Sequence, residues 1–187
     1  MDSNSVWILA RDGENGSPVW YNTLSQAMIK CDPETLASSD RVAIIVPYRD
    51  LHKDQKRHEQ LKDFVPKMTQ CVLPGGVPYM IYVIEQSNDG RKFNRGKLLN
   101  VGFVMALQDE CTIFVFHDVD LIPSNDLLRF YTTRPTSQPY HIARLWGRYS
   151  QDPKYPYFGG IASFSKDLYE RVNGYPNNYW GRYRAND

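Results

Sequence analysis

Arg41-Val42-Ala43-Ile44-Ile45-Val46-Pro47 decides the fold. Val42 to Val46 is an unbroken apolar run with no polar alternation. A half-exposed strand would alternate, so the run fits a parallel strand buried on both faces. A charged helix is predicted next, from about Leu51 to Met68, with Leu61, Phe64, Val65 and Met68 at helical spacing. Leu73-Pro74-Gly75-Gly76 reads as a turn, and Tyr79 to Glu85 as a second strand. Gly96 to Leu107 reads as a helix with Leu98, Val101, Gly102 and Met105 on one side. Thr112 to Phe116 is a third buried strand. Strand, helix, strand, helix, strand implies an α/β layer with parallel strands and right-handed crossovers. Ligands of such sheets bind beyond the carboxyl ends of the strands. Three segments stand there: Pro47-Tyr48-Arg49, Glu85-Gln86 and His117-Asp118-Val119-Asp120.

The bulk composition is that of a globular protein. Of 187 residues, 42% are hydrophobic and 23% charged, enough for one medium domain with a small appendage. A formal net charge of +1 carries no nucleic-acid signature, which would be a strongly basic face. The cluster from His52 to His58 includes Asp54 and reads as a solvated helix face. Cys31, Cys71 and Cys111 form no CxxC pair, and an odd count leaves one thiol over. No apolar run reaches the length of a membrane helix. The start, Met1-Asp2-Ser3-Asn4-Ser5, is polar and acidic, unlike a signal peptide.

Residues 1–34 differ from the rest. Trp7 to Arg11 and Pro18 to Asn22 read as two strands around the turn cluster Asp12-Gly13-Glu14-Asn15-Gly16-Ser17. With Trp7, the pair Trp20-Tyr21, Asn22 and Pro33, the stretch resembles a WW domain, a small β module that binds proline-rich peptides. Lys30 stands where the second signature tryptophan would stand, so the resemblance implies the fold more than the peptide contact. The other reading is a hairpin packed on the main domain. Residues 34–40 are a polar linker, and the main domain is expected over 41–187.

Asp118-Val119-Asp120 places two carboxylates at the end of a buried strand. Strand alternation would point them to one side with Val119 opposite. Like charges this close need a cation or donors to offset them. Carboxylate oxygens suit hard ions such as Mn²⁺ or Mg²⁺, and an ion so placed can neutralise a departing diphosphate. The bland reading is a capped turn before Pro123.

Five motifs then stand in order. They are Val46-Pro47-Tyr48-Arg49, Phe93-Asn94-Arg95-Gly96-Lys97-Leu98-Leu99-Asn100-Val101-Gly102-Phe103, His117-Asp118-Val119-Asp120-Leu121-Ile122-Pro123, Tyr157-Phe158-Gly159-Gly160, and Asn173-Gly174-Tyr175-Pro176-Asn177-Asn178-Tyr179-Trp180-Gly181. This series resembles the β-1,4-galactosyltransferase family from about Arg41 to Gly181. The resemblance implies a nucleotide-diphospho-sugar transferase (GT-A-like) fold, a mostly parallel sheet flanked by helices. It implies metal-dependent, inverting transfer of galactose or N-acetylgalactosamine from a UDP-sugar to a glycan acceptor. Pro47, Tyr48 and Arg49 would lie against the UDP end of the donor. Phe93, Asn94 and Arg95 would hold the uridine, although Asn94 also reads as a helix N-cap. Asp118 would contact the nucleotide, Val119 its sugar, and Asp120 the metal, Mn²⁺ being the family's usual ion. Tyr157, Gly159, Gly160 and Trp180 would line the acceptor side, Trp180 covering a sugar face unless it is a core residue. The resemblance further implies the Golgi, where family enzymes are held by an N-terminal anchor. His117 before the DxD resembles the branch acting on protein-linked xylose.

After Gly181 the sequence departs from the family. Arg182 stands for a second tryptophan, Ala185 for a glutamate and Asn186 for the first aspartate, so only Asp187 is left as a carboxylate at the base position. An amide is no base. The departure reads as a catalytic domain incomplete at its C-terminus. Two other readings stand beside the transferase: a UDP-binding relative without turnover, and a WW-like adaptor for proline-rich peptides.

Overall fold

A computed structural model describes residues 6–10, 19–22, 39–51, 53–69, 77–144 and 158–181. The strands are β1 (Val6–Ala10), β2 (Val19–Asn22), β3 (Val42–Tyr48), β4 (Tyr79–Glu85), β5 (Ile113–His117), β6 (Tyr140–His141) and β7 (Ile161–Ser165). The helices are α1 (Arg57–Lys67), α2 (Arg95–Gln108), α3 (Arg129–Thr132) and α4 (Lys166–Arg171). All seven strands join one sheet in the order β2-β1-β4-β3-β5-β7-β6.

The expected parallel unit forms its centre. β3 pairs parallel with β4 on one side and with β5 on the other, while β7 returns antiparallel on β5. The chain thus leaves β3 towards β4 and crosses back over it to β5. Where the strand order reverses in this way, the strand ends part and leave a crevice. The ladder from β3 to β5 stops at Ile45 opposite Phe116, whereas β4 follows β3 to Tyr48. Pro47, which has no N–H for a ladder, therefore stands beyond the last β5 pairing.

The continuous apolar run of β3 is divided between two cores. Val42, Ile44, Val46 and Tyr48 face one side with Phe64 of α1 and Tyr131 of α3. Ala43 and Ile45 face the other, with Leu99 and Phe103 of α2 and Tyr169 of α4. Gly102 lets α2 approach the sheet. A Cβ there would lie 2.4 Å from Cγ2 of Ile45 and 3.1 Å from Cγ1 of Ile84. Alanine favours a helix by about 1 kcal/mol over glycine, but overpacking a well-filled core costs about 1–3 kcal/mol. The stiff branched neighbour makes the clash the larger effect. Gly102→Ala is expected to lower the urea midpoint by about 1–2 kcal/mol of stability; an unchanged or raised midpoint would contradict this packing.

Two expectations shift. The helix predicted from Leu51 starts at Arg57, after a short 3-10 turn over Lys53–Gln55, because Lys56 adopts a left-handed conformation at φ 50° and breaks the register. At the N-terminus, β1 and β2 make the expected antiparallel hairpin, and β1 also runs parallel to β4. The hairpin therefore extends the main sheet at one edge, the arrangement of a hairpin joined to the main domain. A third WW-like strand, Lys30 and Pro33 fall outside the described residues, as does the turn at Leu73–Gly76.

Candidate active site

The loop after β5 supplies both carboxylates. β5 ends at His117, and Val119–Asp120 form a turn, so the alternation of a strand does not orient them. The outcome is still a shared exposure: the Asp118 and Asp120 side chains are partly accessible while Val119 is buried in the core. The Val119 side chain thus packs inward, into the core on the side of the sheet that Val42 and Val46 face.

Each carboxylate is met by an arginine. Nε and Nη2 of Arg95, at the first turn of α2, donate to one oxygen of Asp118 at 2.8 and 2.7 Å. Arg57, at the start of α1, lies 3.0 Å from Asp120 and also donates to Gln60 at 2.9 Å. The charge balance foreseen for a metal is therefore supplied by two guanidinium groups. Arg57 was read only as part of a solvated helix face. Its one sequence signal was that Asp120 needs a cation, which does not say which.

Beneath this loop His117 is fully buried. Its Nδ1 lies 2.9 Å from the Asp118 carbonyl, which only accepts, so Nδ1 carries the proton. Nε2 then accepts from the Tyr131 hydroxyl at 2.8 Å. Burial pushes the imidazole down to about 4, against smaller opposing effects of the Asp118 carbonyl and Asp120. His117 is a neutral strut that fixes the backbone of the carboxylate loop. The Asp118 N–H is tied in turn to the Gly160 carbonyl at 2.9 Å.

Arg49 follows β3. Its Nη1 donates to the Arg91 carbonyl at 2.6 Å, while its buried Nε finds no hydrogen-bond partner among the described residues. A buried guanidinium N–H without an acceptor is costly unless a ligand supplies one. Pro47 and Tyr48 are buried beside it, and the Tyr48 hydroxyl is pushed up to about 12, mainly by burial.

At the head of α2, Asn94 is the N-cap. It is 2% exposed, accepts from the Lys97 N–H and donates to the Asn177 carbonyl at 2.7 Å. Both ends of its amide are engaged internally, so it acts as a clamp between α2 and the loop at Asn177. Phe93 is half-buried, and its carbonyl accepts from the Gly181 N–H at 2.8 Å. Gln86, after β4, bonds the Asn94 N–H and the Lys92 carbonyl. The cap is legible in the sequence, but the bonds of Asn94 to Asn177 and of Phe93 to Gly181 are not, because their partners lie in a distant loop.

The acceptor side is partly described. Gly159 and Gly160 are buried before β7, and Gly160 has φ 76° with Leu121 and Ala143 about its missing Cβ, so a side chain there would be strained and crowded. The Gly159 carbonyl lies 3.0 Å from His141 Nε2. Trp180 is 36% exposed and so is no core residue; the Arg91 guanidinium lies 5.4 Å from its ring centre. Tyr157, Asn186 and Asp187 lie outside the described residues.

Among the described residues no group of three His, Cys, Asp or Glu side chains gathers round one point. Asp120, the residue implied as the metal ligand, offers a hard oxygen and already holds a cation, the Arg57 guanidinium. That stand-in fits a site that takes positive charge. Ions of the Mg²⁺ type are often held by one or two carboxylates together with substrate phosphates.

The remaining thiol in view is unreactive. Cys111 is buried at the amino end of β5, beside Tyr82, and burial pushes it up to about 11. No helix among the described residues is long and apolar enough to cross a membrane.

A parallel unit with a topological switch point, and two carboxylates paired with arginines at its strand ends, is where open α/β sheets take their ligands. Comparison with known proteins narrows this. Residues 21–133 match the family model described as the N-terminal region of glycosyl transferase group 7, and residues 138–182 the one described as the N-terminal domain of galactosyltransferase. The chain is 43% identical to human β-1,4-galactosyltransferase 1 over 151 residues, covering 80% of this chain and 35% of that protein. It is 39% identical to human β-1,4-galactosyltransferase 4, covering 80% and 41%. A crystal structure of a mutant Drosophila β-1,4-galactosyltransferase 7 in complex with manganese, UDP-Gal and xylobiose superposes with a TM-score of 0.62 at 38% identity, over 76% of this chain and 56% of that one. The chain belongs to glycosyl transferase group 7, and its mixed α/β sheet is similar to that of a galactosyltransferase catalytic domain. It spans between about a third and two fifths of the length of these curated relatives.

Proposed function

We propose that this domain binds a UDP-sugar through a divalent ion at Asp120 and serves the transfer of galactose to a glycan acceptor. The observation that carries this is the pairing of Arg57 with Asp120 and of Arg95 with Asp118 beyond the carboxyl end of β5. A diphosphate is multiply charged, and arginine forks match its oxygens. The orphaned Arg49 Nε is a donor awaiting such an acceptor. Family membership supports the same reading, as do the manganese, UDP-Gal and xylobiose of the Drosophila enzyme's complex. Xylose-terminated acceptors are accordingly the first to test, and galactose is favoured as donor sugar over N-acetylgalactosamine.

The residues of this chain would act by position and charge. Arg49 and Arg95 offer donors to the nucleotide, and the half-buried Phe93 an apolar wall. The exposed face of Trp180 offers a platform for a pyranose, whose axial C–H groups stack on aromatic rings. Gly159 and Gly160 let a sugar approach the backbone. A bound ion would neutralise charge developing on the departing UDP. The proton of the attacking hydroxyl needs a carboxylate, for which Asp187 is the candidate, because Asn186 cannot serve.

Calorimetry of the purified chain tests the donor site. UDP is expected to bind in Mn²⁺ and to lose at least about tenfold in affinity, roughly 1.4 kcal/mol, in Asp120→Ala. UDP affinity that is indifferent to both Mn²⁺ and the substitution would sink the reading. Transfer from UDP-Gal to a xyloside then separates a turning-over enzyme from a relative that only binds.

A further inference from the structure

The ion pair between Arg57 and Asp120 joins a helix start to the metal-bearing loop, and nothing about the fold demands it. Both side chains are 22% exposed, so water reaches the pair and its net worth is small. Arg57 does not depend on Asp120 for a partner, since Gln60 accepts from it one turn along α1 at 2.9 Å. Asp120, by contrast, has only this cation among the described residues. Asp118 beside it is engaged by a different arginine, Arg95, through two donors on one oxygen. The two carboxylates are therefore held unequally: Asp118 by a fork from two nitrogens, Asp120 by one contact to Nη1 of Arg57, a nitrogen it shares with Gln60.

We propose that Arg57 is a resident cation that competes with the divalent ion for Asp120, so that metal binding requires the guanidinium to leave the carboxylate, with Gln60 still able to hold it. This rests on Asp120 being the metal ligand. The carboxylate is kept neutralised before the ion arrives, and a monovalent group on a flexible stem yields to a divalent ion because the ion's charge is doubled and its approach closer. The arginine thereby sets a threshold: the ion binds more weakly than an undefended carboxylate would bind it. Competition makes a prediction opposite in sign to that for a residue that orients the ligand. Removing an orienting residue weakens the ion; removing a competitor tightens it.

Mn²⁺ titration of the full chain without nucleotide, read by the electron paramagnetic resonance signal of the free ion, tests this without any measurement of activity. Arg57→Gln is expected to bind Mn²⁺ about three- to tenfold more tightly than the wild type. Arg57→Lys, which keeps a charge but not the fork, is expected to fall between them. Asp120→Ala is expected to abolish the binding. The lysine variant serves if the glutamine variant does not fold, thermal melting being the check. Equal or weaker Mn²⁺ binding by the Arg57 variants, with binding still lost in Asp120→Ala, would overturn the competition and leave the metal ligand standing. Mn²⁺ binding that survives Asp120→Ala, or that is absent from wild type and Arg57→Gln alike, would overturn both.

Discussion

Asn100→Leu is expected to destabilise the domain by about 3 kcal/mol and to release the segment that carries Trp180. Asn100 stands on α2, one and a half turns past the cap. Its Oδ1 accepts from the Tyr175 N–H at 3.0 Å and from the Tyr169 hydroxyl, and its Nδ2 donates to the Tyr175 carbonyl at 2.7 Å and to Asn177 Oδ1 at 2.9 Å. A leucine keeps the volume and loses all four. The net value of one such bond is about 1 kcal/mol, and a buried group left unpaired costs about 1–3 kcal/mol. Asn177, being exposed, recovers its bond from water, which leaves three to count. The neighbouring contacts do not hold the segment alone: Asn94 and Phe93 grip it only at the Asn177 carbonyl and the Gly181 N–H. Urea unfolding gives the energy, and hydrogen exchange of the Tyr175 and Gly181 amides gives the local release. Amides as protected as in the wild type would show that Asn100 is not the clamp.

Acidification provides the second large effect. His117 is held near 4 in the folded protein against an ordinary value of 6.5. Between those values the unfolded chain binds a proton that the folded chain refuses, so stability rises with pH across the window. It is fully present above about 6.5 and is lost progressively as pH falls towards 4. The loss amounts to about 3 kcal/mol. The groups around the ring are the Asp118 carbonyl and Asp120, which favour the proton, and Arg95, which opposes it; desolvation exceeds them all. Phe64 packs edge-on at 4.9 Å and offers no charge. His117→Gln keeps an acceptor for Tyr131 and removes the titration. Its stability is expected to fall less steeply between pH 6.5 and 4 than that of the wild type. Parallel pH profiles for the two proteins would refute the assignment.

The architecture was legible because its signals are local. The apolar runs of β3, β4 and β5 are long enough to mark strands, and the apolar stretch from Gly96 to Leu107 marks α2. The face expected from Leu98, Val101, Gly102 and Met105 is shifted, because the helix buries Leu98, Leu99, Gly102, Phe103 and Ala106 and leaves Val101 exposed. Asn94 was legible twice over, as a cap and as a motif residue, and the tertiary structure assigns its amide to the cap and to Asn177. Trp180 could have been core or surface, and its 36% exposure places it on the surface. The start of α1 was misplaced because the left-handed turn at Lys56 leaves no mark in hydrophobic spacing.

By itself, the order of residues determined the parallel sheet, its two buried faces and the siting of Asp118 and Asp120 at a strand end. Those features follow from hydrophobic periodicity and crossover handedness, which act over a few turns of chain. Only the tertiary structure decided which cation meets which carboxylate, that His117 supports the loop from below, and that Asn94 and Asn100 tie α2 to the loop bearing Trp180. Arg95 is 23 residues from Asp118 and Asn94 is 83 from Asn177. Contacts between such distant positions depend on how the crossovers bring strand ends and helix starts together, and no local pattern encodes that distance.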